Sequence, residues 1–161
     1  MWDNNVWSRI LVEIRQHSIT FEFFYSHNSF TWYLTGVYAP PIRSEKLLLW
    51  EEIAACRQLF EGSWVTCGDF NTIWFMLERK WCFRITNVMY AFFRWIEEMK
   101  LHDPHLIGDN FTFFRGINHP SEAIRHLPLL LRIRRNFQKH QTKDFCRATS
   151  NHNTIMLECV N

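Results

Sequence analysis

Hydrophobic and polar positions first alternate near position 20, in a pattern typical of a β-strand. Phe21, Phe23 and Tyr25 alternate with polar or opposite-face residues, and a polar turn at 26–29 precedes a second apolar run at 30–38. The Ala-Pro-Pro sequence that follows cannot continue a hydrogen-bonded ladder, because proline lacks a backbone N–H. The pattern therefore predicts a β-hairpin that ends before the prolines.

Two later segments repeat apolar residues at helical spacing. The first runs from about Ser44 to Phe60, with Ser44 as its N-cap and Gly62 as its stop. The second is capped by Thr86 and ended by Pro104. The apolar faces carry Leu47, Trp50, Ile53 and Ala54 in the first helix, and Met89, Phe92, Phe93, Trp95, Ile96 and Met99 in the second. Both tryptophans on these faces are predicted to be core residues.

Short apolar runs at 64–67, 111–114 and 154–157 supply the remaining predicted strands. The run at 123–131 fits a strand or a helix, and the basic segment at 132–147 has no clear period. Strands interleaved with helices, with a hairpin among them, predict a mixed α/β (α+β) domain whose sheets are not purely parallel. The length of 161 residues suits one domain with a real core.

The most informative motif ends the strand at 64–67. It reads Gly68-Asp69-Phe70-Asn71, in which the glycine permits a sharp exit from the strand. In extended geometry Asp69 and Asn71 point to the same side, where a carboxylate and a carboxamide could position and deprotonate a water molecule. The alternative is an ordinary turn, because Asp and Asn are common turn residues.

Composition narrows the class of protein. Aromatic residues make up 17% of the chain, with 8 Trp and 15 Phe, so the chain is not a disordered polypeptide. The net charge of +2 permits binding to a polyanion without arguing for it. The 5 cysteines are an odd number without a CxxC pair, which disfavours a disulfide framework or a four-ligand zinc site. With no signal-peptide or membrane-spanning pattern, we expect an intracellular protein, with the nucleus as one candidate location.

Several motifs in order resemble one family. They are Trp32–Pro40 (WYLTGVYAP), Leu49–Ile53 (LWEEI), the Gly-Asp-Phe-Asn motif, Glu78-Arg79, Phe111–Phe113 and Ser150–Leu157 (SNHNTIML). Together they resemble the endonuclease/exonuclease/phosphatase or DNase I-like family, and more narrowly the endonuclease domain of plant LINE-type retrotransposon proteins. The match runs from about Phe30 to Cys159.

The resemblance implies a two-layer β-sandwich flanked by helices and metal-assisted hydrolysis of a phosphodiester. In family terms Asp69 activates the water and Asn71 helps to orient it. His152 donates to a phosphoryl oxygen, and Tyr38 contacts the phosphate. The implied cofactor is Mg²⁺, which prefers carboxylate oxygens and water. The implied partner is DNA, with no membrane and no obligate protein partner.

The sequence departs from the family at three positions. The metal-holding Glu of an early strand has no counterpart, so we expect a single partial domain over 1–161 that is incomplete at its N-terminus. Asn151 stands where the family has Asp before the catalytic His, and an amide oxygen binds a metal without the negative charge. Ile124 stands where an Asp would orient His152, and its aliphatic chain cannot accept a hydrogen bond. The expected protein is thus a degenerate endonuclease, or pseudoenzyme, with weak or lost DNA nicking.

Two other outcomes stay open at this stage. One is a non-catalytic nucleic-acid-binding or interaction module that uses the old substrate cleft and the basic segment at 132–147, although a solvated surface also explains that segment. The other is a decayed reading frame without a selected function. Among further candidates, the His102–His105 segment is not expected to bind metal, Glu78 is expected to be structural, and Cys67 is expected to be a buried small hydrophobe.

Overall fold

The structure is a computed structural model, and it describes residues 4–27, 30–78 and 82–103 together with the backbone of the later strands. The elements of the first part are β1 (Trp7–Ile14), β2 (Ser18–Tyr25), β3 (Thr31–Tyr38), α1 (Arg43–Arg57), β4 (Ser63–Asp69), a 3₁₀ turn (Met76–Glu78) and α2 (Asn87–Met99). The later strands are β5 (Leu106–Ile107), β6 (Phe113–Phe114), β7 (Ala123–Ile124), β8 (Leu129–Arg132), β9 (His140–Phe145) and β10 (Thr154–Cys159).

The main sheet has five strands in the order β1-β2-β3-β4-β8. All neighbouring pairs are antiparallel except β3 and β4, which run parallel and are joined through α1. A second sheet has the order β10-β9-β5, and β6 pairs with β7. The prediction of mixed, not purely parallel, sheets is confirmed. The parallel pair brings the carboxyl ends of β3 and β4 to the same edge of the sheet, next to the Gly-Asp-Phe-Asn motif.

The hairpin predicted around position 20 is confirmed as β2 and β3. Phe21 pairs with Leu34 and Phe23 with Trp32 across it. The pattern predicted no element before it, yet β1 pairs antiparallel with β2. Its sequence, WSRILVEI, has apolar residues on both faces and a register shift between Leu11 and Glu13, so it lacks the alternation by which a strand is recognised.

Helices α1 and α2 contribute to one core together with β3 and β4. Its buried members include Val37, Leu49, Trp50, Ile53, Trp64, Phe70, Phe92, Trp95 and Ile96. Trp50 and Trp95 are 3% and 7% exposed, which confirms them as core residues. The rings of Trp50 and Phe92 stack at 5.4 Å, and those of Phe92 and Trp95 at 5.8 Å. Much of the aromatic content of the chain therefore fills this core.

Helix α1 corrects three details of the prediction. Its N-cap is Ile42, which makes no side-chain capping hydrogen bond, and Ser44 already lies inside the helix. The helix ends at Arg57, before Gly62, and the Arg57 guanidinium donates to the carbonyls of Phe60 and Gly62 in the loop that follows. Leu47 is 40% exposed, while Lys46 takes a buried position on the core-facing side.

Helix α2 follows the prediction more closely. The Thr86 hydroxyl accepts a hydrogen bond from the Met89 N–H at 3.2 Å, which confirms the cap. The helix ends at Met99 rather than at Pro104, because Lys100 adopts a left-handed conformation with φ 54°. Phe93 is half-buried, so the stripe is narrower than predicted.

The later strands fall largely where apolar runs predicted them. β6 lies within the run at 111–114, and β10 contains the run at 154–157. The ambiguous run at 123–131 contains β7 and the start of β8, so its described residues are strand, while 125–128 lie outside the described residues. The basic segment at 132–147 includes β9. No helix in the described part of the chain has the length and apolar character needed to cross a membrane.

Candidate functional site

The candidate site lies where β3 and β4 end side by side. Gly68 has φ +136°, and a Cβ at this position would lie 1.9 Å from the Val37 carbonyl oxygen. Only glycine lets the end of β4 approach the backbone of β3 this closely. The glycine of the Gly-Asp-Phe-Asn motif is thus required for contact between two strands, as well as for the exit of the chain.

Tyr38 and Asp69 are neighbours across this parallel pair. They are register partners, and the Ala39 N–H donates to the Asp69 carbonyl at 2.7 Å. Register partners project from the same face of a sheet. The Tyr38 side chain is 71% exposed, so its hydroxyl is accessible to a ligand that approaches Asp69 from solvent.

The polypeptide turns immediately after Asp69. The Asn71 N–H donates to Asp69 Oδ1 at 2.8 Å, and Asn71 has a left-handed φ of 48°. Asn71 Nδ2 donates to the Ala39 carbonyl at 2.6 Å and so ties the turn to the end of β3. The extended geometry assumed for Asn71 is therefore wrong, and the turn is present. That turn brings Asp69 and Asn71 together. The motif is therefore a turn that also places a carboxylate beside a carboxamide.

A lysine lies beneath the turn. Lys46 of α1 is 8% exposed, and its Nζ donates to the Asn71 carbonyl oxygen. Burial lowers the pKa of Lys46, and the negative charge of Asp69 opposes that change. Three elements, β3, β4 and α1, thus converge on the Asp69–Asn71 turn.

Three of the sequence-predicted site residues come together here, namely Tyr38, Asp69 and Asn71. His152 and Asn151 lie outside the described residues, so their placement beside the turn stays a prediction.

Lys46 and the backbone of Ala39 were not predicted as parts of the site. The position of Lys46, four residues before Trp50 on the predicted helix, was a usable signal, since it puts a charged residue on an otherwise apolar face.

The described donors do not by themselves fit the implied Mg²⁺. This cation prefers several carboxylate oxygens and water in octahedral geometry. Within the described ranges, no group of three or more His, Cys, Asp and Glu side chains is arranged to hold a metal ion. At the turn, Asp69 supplies one carboxylate, and its negative charge acts on the Lys46 ammonium. What the arrangement offers chemically is a proton acceptor, a carboxamide and an exposed phenol hydroxyl.

The remaining candidates have structural explanations. Glu78 is buried, and its carboxylate accepts the Trp74 N–H at 2.6 Å, which supports its predicted role in the loop. Burial raises the pKa of the Cys67 thiol to about 11, so the thiolate needed of a nucleophile is disfavoured. His102 and Asp103 belong to no metal-binding group within the described ranges.

Solved structures with similar folds include a retrotransposon endonuclease domain, a bacterial toxin and an endonuclease/exonuclease/phosphatase family protein. The endonuclease domain of TRAS1, a telomere-specific non-LTR retrotransposon, matches with a TM-score of 0.70 at 14% identity over 96% of this chain and 67% of that domain. Beta toxin from Staphylococcus aureus matches with a TM-score of 0.58 at 12% identity over 89% of this chain and 57% of the toxin.

An endonuclease/exonuclease/phosphatase family protein from Bacteroides thetaiotaomicron matches with a TM-score of 0.52 at 12% identity over 87% of this chain and 50% of that protein. The chain thus spans between 50% and 67% of the lengths of these three structures. No protein-family model matches the sequence, and no curated protein does.

At such identities the likeness establishes the fold alone. The chain has a DNase I-like α+β fold, as the sequence resemblance implied.

Proposed function

We propose that this chain is a degenerate DNase I-like endonuclease domain of retrotransposon type, with a weak residual ability to hydrolyse phosphodiester bonds in DNA. The observation that carries the proposal is the juxtaposition of Asp69, Asn71 and Tyr38 at the carboxyl ends of β3 and β4. The fold of the TRAS1 endonuclease domain supports the choice of substrate class. The plant LINE origin follows from the sequence resemblance.

In the proposed reaction, a water oxygen attacks phosphorus and the bond to the leaving oxygen breaks. The Asp69 carboxylate accepts the proton of the water, and that proton passes to the leaving oxygen or to solvent. Asn71 Nδ2 donates one N–H to the Ala39 carbonyl, which fixes the carboxamide, and its oxygen is the atom proposed to orient the water. The exposed Tyr38 hydroxyl donates to a phosphoryl oxygen of the substrate.

The same residues explain why the activity is expected to be weak. One oxygen of Asp69 already accepts the Asn71 N–H, so that oxygen is engaged by the turn before a water molecule binds. His152 is proposed as the donor to the phosphoryl oxygen, but Ile124 replaces the carboxylate that would orient it. Loss of such an orienting partner costs about 10–100-fold in activity or metal affinity.

The test is nicking of a supercoiled plasmid, with and without Mg²⁺, by the full chain. We expect slow nicking that Asp69→Asn and His152→Ala each reduce by about 10²–10⁴-fold. Glu51→Gln is the matched control, since it removes an exposed carboxylate of α1 away from the turn. Nicking that persists at the wild-type rate in both variants would contradict the proposal.

The alternative is a non-catalytic module that binds nucleic acid. It is favoured by the finding that the described residues include no group of three or more His, Cys, Asp and Glu side chains able to hold a metal ion, and by the residues Asn151 and Ile124. Under this alternative the wild-type chain binds DNA without cleaving it, and the affinity falls steeply as salt is raised. Measuring binding and nicking on the same plasmid at two salt concentrations separates the two functions.

A further inference from the structure

Lys46 is the one charged residue of α1 that reaches the Asp69–Asn71 turn in the described structure. It lies in the first turn of the helix, on the side that faces the core, and is 8% exposed. Its ammonium donates to the carbonyl oxygen of Asn71, a residue 25 positions further along the chain.

The turn depends on contacts that oppose its strained backbone. An asparagine at φ 48° lies in a conformation that most L-residues avoid. Three hydrogen bonds hold it: the N–H to Asp69, the side-chain amide to Ala39, and the carbonyl to Lys46. The first is local to the turn, and the second comes from the adjacent strand. The bond from Lys46 is the only one of the three that fixes the turn relative to a helix.

A lysine at this position has a cost that an apolar residue would avoid. Transferring an ammonium group from water to the protein interior is unfavourable unless it is paired and hydrogen-bonded. A methionine would fill the same space with a stem of similar length and without a charge. The chain instead places a cation where it meets the Asn71 carbonyl and acts on the Asp69 carboxylate, which is the proposed proton acceptor.

We propose that Lys46 is a positioning residue for the phosphodiesterase reaction, one that holds the Asn71 turn from below so that Asp69 and Asn71 face the substrate together. The inference rests on the proposed function of these two residues. Lys46 is buried and touches Asn71 rather than substrate, so it acts through the turn.

The experiment measures both the turn and the reaction in four forms of the full chain. They are wild type, Lys46→Met, Lys46→Arg and, as a control, Arg43→Met, which removes an exposed cation one helical turn earlier. Hydrogen exchange at the backbone N–H of Asn71, followed by NMR, reports how often the turn opens. The kcat and KM for plasmid nicking report on catalysis.

We expect Lys46→Met to speed exchange of the Asn71 amide at least about tenfold, because the charge-assisted bond that closes the turn is lost. We expect kcat to fall about 10–100-fold with KM changed less than about twofold. Lys46→Arg retains a cation and a donor and recovers part of both losses. Arg43→Met behaves as wild type.

Each other outcome decides a different point. Unchanged exchange at Asn71 in Lys46→Met overturns the inference whether or not the chain nicks DNA. Faster exchange with an unchanged kcat shows that Lys46 stabilises the turn without serving catalysis, and it overturns the positioning role. A wild-type chain that does not nick overturns the proposed function, and with it the catalytic role of Lys46, while the exchange data still decide whether Lys46 holds the turn.

Discussion

The two helices share one core but are built differently. Helix α2 has a side-chain cap at Thr86, and the side chains it buries are all apolar. Helix α1 lacks a side-chain cap and buries Lys46 in its first turn and Arg57 in its last.

The two buried basic residues of α1 bind loops on either side of one strand. Lys46 donates to the carbonyl of Asn71, just after β4, and Arg57 donates to the carbonyls of Phe60 and Gly62, just before it. The described residues of α2 thus contribute a cap and buried apolar side chains, whereas α1 also binds the loops at both ends of the strand that carries the candidate site.

The largest effect is expected from removing a ring of α2. Phe92 is 0% exposed and packs against Trp50, Phe70 and Trp95, so Phe92→Ala should lower the free energy of unfolding by about 3–5 kcal/mol. Urea unfolding measures this. Phe93→Ala, one residue along and half-buried, is the matched control and should cost clearly less; equal losses would show that α2 has no inward face.

The next effect tests the cation at the end of α1. Arg57→Met leaves the Phe60 and Gly62 carbonyls without their guanidinium and removes its contacts with the Phe60 and Trp64 rings. We expect a loss of about 2–3 kcal/mol in unfolding free energy. The exposed Arg43→Met should change stability by no more than about 0.5 kcal/mol. If the two variants are equally stable, Arg57 does not hold the loop before β4.

A smaller effect separates the two helix starts. Thr86→Ala removes the cap of α2 and should cost about 1 kcal/mol. Ser44→Ala should cost almost nothing, because Ser44 lies inside α1 and the cap position is Ile42. Thermal unfolding of the two variants side by side provides the measurement. A loss at Ser44 that matches the loss at Thr86 would contradict the observed start of α1.

The smallest effect concerns pH. Burial lowers the pKa of Lys46 below its ordinary 10.5, so between the lowered value and 10.5 the unfolded chain holds a proton that the folded chain has released. The contribution of Lys46 to the free energy of unfolding therefore rises with pH between its lowered pKa and 10.5. We expect the difference in unfolding free energy between wild type and Lys46→Met to grow in favour of wild type as pH approaches 10.5.

Tyr33 and Cys67 change the free energy of unfolding in the opposite direction over this pH range. The measured quantity is therefore the difference between wild type and Lys46→Met. The pKa of Tyr33 is raised to about 12, mainly by burial and also by its hydrogen bond to Glu22, and that of Cys67 is raised to about 11. Both lower stability as pH rises above about 9 to 10. They are common to wild type and Lys46→Met, so subtraction removes them. A difference that is flat with pH would contradict the lowered pKa of Lys46.

Much of the fold and part of the site could be predicted from local sequence. The alternation at Phe21, Phe23 and Tyr25 marked the hairpin, and Thr86 marked the start of α2, because each signal depends only on residues a few positions apart. The Gly-Asp-Phe-Asn motif marked the site for the same reason. β1 was not predicted because apolar residues lie on both of its faces. It is recognised as a strand only through its antiparallel pairing with β2.

The amino-acid sequence determined that β4 ends in a glycine and a carboxylate with a carboxamide two residues further on, since composition and spacing within a few residues suffice for that. Tertiary structure decided what surrounds them. The approach of β3 to Gly68, the bond from Asn71 to Ala39 and the burial of Lys46 beneath the turn join residues 25 to 32 positions apart. Such contacts depend on which surfaces are packed together, and no local pattern encodes that.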